Sequence, residues 1–102
     1  MEKWELALDS FWWFFEHEFA EHLQLHTILR ASPLTDAEDA QLTQIQQTIN
    51  AQFEAAAGLA EQTSQQKTDQ RAEQFTATIE RLREMIDDAN RTMRRMQRAK
   101  SL

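Results

Sequence analysis

From residue 72 to residue 96 apolar side chains return at alternating steps of three and four: Ala72, Phe75, Ile79, Leu82, Ile86, Ala89, Met93 and Met96. That rhythm marks a helix with one apolar stripe packed in coiled-coil fashion against its neighbours. A thinner seam precedes it on a Gln-rich background, with Leu42, Ile45, Ile49, Phe53, Ala56 and Ala60 at the same two spacings. The start of the chain carries a third pattern. At 100° per residue Trp4, Leu8, Phe11, Phe15, Phe19, Leu25 and Leu29 share one broad face, Trp12 and Phe14 lie at its edges, and Trp13 points away. Glu2, Glu5, Asp9, Glu16, His17 and Glu21 fall largely outside that face.

The stretch ASPLTDAED, residues 31–39, separates the first two patterns. Pro33 has no N–H to give a helix interior, so one helix ends before it. Thr35 followed by Glu38 is a capping box that opens the next: the Thr hydroxyl accepts from the Glu38 N–H and the Glu carboxylate accepts from the Thr35 N–H. The second joint is less sharply written. In GLAEQTSQQKTDQ, residues 58–70, Thr63, Ser64, Thr68 and Asp69 are poor interior residues and good caps, which favours a turn near 63–68. No Pro enforces it, and the change of apolar phase between the two seams fits a turn or a stutter.

The expected fold is therefore all-α and a single domain over residues 1–102. A turn gives a three-helix up-down-up bundle with helices about 3–31, 35–63 and 67–100. A run-through gives a helical hairpin with a long coiled-coil-like C-terminal helix, roughly 98 Å if it covers about 65 residues. In both cases the first helix offers more aromatic surface than the Ala- and Ile-rich middle seam can cover. Oligomerisation or a protein partner is expected to complete the core.

Composition narrows the chemistry. One Gly, one Pro, no Val or Tyr and little Ile leave little for sheets and turns, and the absence of Cys excludes disulfides, thiolate catalysis and zinc–thiolate sites. The opening MEKWELALDS lacks the order of a secretory leader. The most apolar window, residues 11–29, is interrupted by Glu16, Glu18, Glu21 and three histidines, too polar for a membrane span. A soluble, cytoplasmic protein that does not enter membranes is expected. The net charge of −6 is unevenly spread: residues 1–61 hold eleven acids against Lys3 and Arg30, whereas residues 62–102 hold six acids against nine bases.

Three groups of residues are candidates for function. Glu18, His22 and His26 recur every fourth position and would project side by side, with Glu38 brought near by a hairpin at residues 32–34. One carboxylate and two imidazoles could hold iron, zinc or manganese, with a second chain completing the shell; otherwise they are polar members of an interface and no cofactor is needed. Arg91, Arg94, Arg95 and Arg98 could meet phosphates or an acidic surface, or simply complement a helix C-terminus. Phe11, Trp12, Phe15 and Phe19, with Phe75, Ile79, Leu82 and Ile86 of the last seam, are the candidate partner-binding residues. No nucleophile paired with a base and no Gly-rich phosphate loop is present, so no catalysis is expected. The expectation is a small non-enzymatic helical interaction or assembly protein, such as an adaptor, inhibitor or complex subunit. The alternatives are a metal-binding helical bundle and a helical subunit of a nucleoprotein complex.

Overall fold

The computed structural model describes residues 1–101 and consists of helices joined by two short turns. Helix α1 (Lys3–Phe14), a π-helical turn (Phe15–Phe19) and α2 (Ala20–Arg30) follow one another without leaving the right-handed helical region. Together they form the first of three rods. Helices α3 (Asp36–Gln65) and α4 (Asp69–Ala99) are the second and third. The order is up-down-up: Lys3 pairs with Glu73 at one end, and Lys100 reaches Pro33 and Glu38 at the other.

Both joints follow from capping. Thr35 and Glu38 form the expected reciprocal pair, with N···O distances of 3.1 and 2.9 Å, and α3 starts there. The second joint is a turn. Gln66 leaves helical geometry at φ −119° and ψ 89°, and the Thr68 hydroxyl accepts from the Arg71 N–H to open α4. The long continuous helix is thereby replaced by the bundle. Thr63 and Ser64, expected near the break, instead extend α3, and the chain turns at Gln66–Thr68.

A 31-residue helix spans about 46 Å, and the molecule measures 47 × 20 × 17 Å, so α4 alone sets its length. The radius of gyration of 15.7 Å exceeds the ~13 Å of a round domain of this size, as a three-rod cylinder requires. All eight seam residues of α4 are buried. They meet Ala7, Phe11, Phe14 and Phe19 of the first rod and Ile49 and Ala56 of α3 over most of the length. Near the Pro33 end, Leu25, Leu29 and Leu42 close over Met93 and Met96.

This packing revises part of the expected docking surface. Phe11, Phe19, Phe75, Ile79, Leu82 and Ile86 are buried inside the single chain, because three rods suffice to cover the α4 stripe. Trp12 and Phe15 alone of the expected eight remain at the surface, joined there by Trp13, Leu6, Leu23 and Ile28.

Candidate functional site

Five consecutive aromatics on a helix must point around it, since successive side chains are 100° apart. In FWWFF, Phe11 and Phe14 turn inward, and Phe14 has no exposed surface. Trp12 and Trp13 turn outward, 58% and 54% exposed. Phe15 sits on the rim, its ring 6.0 Å from Trp12 and 5.9 Å from Phe53 of α3. Phe53 also lies 4.6 Å from Phe19 and 5.9 Å from Phe11, so the exposed pair stands on a fixed aromatic base. Trp13 faces another flank and packs only on His17 among the aromatic rings, 4.6 Å away.

The inward positions of the first rod explain the π turn. They run Ala7, Phe11, Phe14, Phe19, His22, Leu25 and Leu29, with one step of five among steps of three and four. A uniform α-helix would follow Phe14 with Glu18. The π turn inserts one residue, delivers Phe19 to the core and releases Glu18 to the edge. There Glu18 accepts two hydrogen bonds from the Arg83 guanidinium, at 2.9 and 2.6 Å. This carboxylate holds Arg83 above its ordinary pKa.

The Glu18/His22/His26/Glu38 set is accordingly not assembled. Glu18 belongs to Arg83, and Glu38 binds the Thr35 N–H and Lys100 Nζ, the latter at 2.9 Å. Those two contacts hold the Glu38 carboxyl below its ordinary pKa, the Thr35 backbone contributing most. Among the described residues no three His, Cys, Asp or Glu side chains come together as metal ligands. His22 is buried, its Nδ1 donating to the Asn90 Oδ1 at 3.0 Å, and His26 keeps a buried Nε2 without a partner among the described residues. Sequence reasoning missed Asn90. Its signal is modest: a short amide directly after the seam residue Ala89, where a helix edge is expected to be solvated.

The arginines of the last turns divide. Arg91 pairs with Asp88 and Arg94 with Glu21, while Arg95 and Arg98 make no ion pair among the described residues. Lys100 and Arg30 neutralise Glu38 and Asp39 at the turn. Within the basic end, Arg94 and Lys100 hold α4 to the other rods, Arg91 pairs within α4, and Arg95 and Arg98 are exposed. A second cation, Lys67, lies over the Trp4 ring at 4.7 Å and ties the α3–α4 turn to α1.

What the surface offers chemically is apolar contact. A groove of about 440 Å³ runs between α1 and α4, lined by Leu6, Ala7, Ala72, Thr76 and Ala77 with Lys3, Ser10, Glu73 and Glu80 at its margins. It is open because between Glu73 and Glu80 α4 presents only the small side chains Thr76 and Ala77, with Ala72 just before. No helix among the described residues is long and apolar enough to cross a membrane. Comparison with protein families, with curated proteins and with solved structures found no match for this chain.

Proposed function

We propose that this chain is a non-catalytic helical docking module that engages another protein through the aromatic flank of its first rod, Trp12 packed on Phe15 and Phe15 seated on Phe53. One observation carries the reading: Trp12 stands 58% exposed and Phe15 39% exposed beside a core that is already closed. Indole side chains are large, rigid and amphipathic, and they recur as anchor residues at protein interfaces. Acids on the first rod discourage anionic lipid as the ligand, since interfacial helices carry Lys and Arg on their polar face. A cytoplasmic setting goes with this reading.

The test is photocrosslinking in cells from a benzophenone side chain placed at Trp12, with the same group at Gln47 on the exposed side of α3 as reference. Adducts with a protein at position 12 and none at 47 are expected. Equal labelling at both sites, or none at 12, would refute the proposal. Once the partner is in hand, Trp12→Ala should weaken binding about 30-fold, equivalent to about 2 kcal/mol.

A further inference from the structure

On its exposed side next to the first rod, α4 carries a second stripe that changes sign along its length. Glu73, Glu80, Glu84 and Asp87 occupy its first part; Arg91, Arg94 and Arg98 continue it at steps of three and four. All seven side chains are exposed. Beside this stripe the first rod lays exposed apolar residues toward both ends. Leu6 lies at the groove with Ala77 and Glu80, and Ile28 lies next to Leu29, which packs in the cluster of Met93 and Met96.

A row that is acidic at one end and basic at the other is complementary to itself only when reversed. We infer that a second copy of this chain covers the face formed by the first rod and α4, antiparallel, about a two-fold axis near Asp87. In that arrangement Glu80 and Glu84 lie opposite Arg94 and Arg91 of the second copy. The same axis is midway between the levels of Leu6 and Ile28, so each Ile28 comes over the other chain's open groove, and the contact is isologous. A parallel pairing sets acid on acid and base on base. The internal partners of Arg91 and Arg94 are exposed surface contacts, which bind weakly enough to be exchanged. This face is distinct from the Trp12–Phe15 flank, so the inference goes beyond the docking reading and stands or falls separately.

Two measurements on the full chain decide it. By sedimentation equilibrium from about 5 to 500 μM, the mass is expected to rise from 12.0 kDa toward twice that value. Glu80→Arg with Glu84→Arg should weaken association at least tenfold, as should Arg91→Glu with Arg94→Glu, and the fourfold variant should restore it. Circular dichroism confirms that each variant is helical; if a charge variant does not fold, Ile28→Lys takes its place and must also dissociate the pair. The chain has no Cys, so single cysteines report orientation. Leu6→Cys mixed with Ile28→Cys should yield a disulfide-linked pair under mild oxidation, and Leu6→Cys alone should not. A monomer at every concentration, association indifferent to the charge reversals, or crosslinking of Leu6→Cys to itself would each overturn the inference.

Discussion

Neighbouring aromatic residues in the first rod have opposite energetic roles. Phe14 is fully enclosed, and Phe14→Ala is expected to cost about 3–5 kcal/mol by leaving a cavity. Trp12→Ser, two positions earlier, should cost less than about 1 kcal/mol in dilute protein, since most of the ring already meets water. Urea unfolding of the two variants checks the contrast, and equal losses would show that the rod is rotated from the described orientation. Thr63 is the reverse case: it is buried in α3 with a hydroxyl that has no partner among the described residues. Thr63→Val keeps the shape and removes the orphan group, so it should add about 1 kcal/mol of stability in the same assay. His22 couples the core to pH. Burial pushes its pKa below the ordinary 6.5, Asn90 raises it in part, and His26 lowers it. The unfolded chain then binds the extra proton, so this contribution is complete above pH 6.5 and is lost as pH falls from 6.5 toward the folded-state value. The urea midpoint should drop between pH 7.5 and 5.5, and the drop should shrink in His22→Gln. An undiminished drop would assign the effect to other groups.

Among the elements, α4 was the most legible in sequence. Its stripe keeps steps of three and four throughout, and every member is buried. The turn at residues 31–35 was equally plain, because Pro33 and the Thr35/Glu38 pair each have one structural use. The first rod misleads a helical wheel, which assumes a constant 100° per residue. The π turn breaks that assumption at Phe15–Phe19. It centres Phe14 where the wheel puts it at an edge, moves Phe15 to the rim, and leaves Glu18 at the edge with Arg83 while His22 is buried. The only hint in the sequence is that uniform spacing puts a carboxylate four residues after Phe14. Removing one residue should therefore convert the turn to regular α-helix. Deletion of the exposed His17 is expected to preserve helicity and cooperative unfolding, with Phe19 then four positions after Phe14. Deletion of Gln24, beyond the turn, should put Leu25 and Leu29 out of phase and destabilise the fold severely. If the two deletions behave alike in thermal unfolding, the extra residue is not confined to the π turn.

For the whole molecule, the all-α fold class could be read from three apolar patterns, but the up-down-up order was left open at the second joint, where no Pro enforces the break. Which aromatics remain outside could not be read, because that depends on how three rods share one interior. The elongated shape makes the two-fold pairing distinguishable by scattering alone. Side-by-side antiparallel association doubles the mass while leaving the longest dimension close to the 47 Å of one chain. End-to-end association would bring it to about twice that. Small-angle scattering across the same concentration range should show a thickening particle, and a lengthening one would exclude the geometry.

The short turn at Gln66–Thr68 makes the molecule divisible. Lys67 is exposed and lies outside the helices, whereas the Lys100 side chain is held against Glu38 and Pro33 and is 17% exposed. Trypsin should first sever the Lys67–Thr68 bond and leave a helical hairpin and a single helix still clasped by the buried stripe. The two pieces, made separately, would form a complementing pair: a receptor with a long apolar trough and a peptide that becomes ordered on entering it.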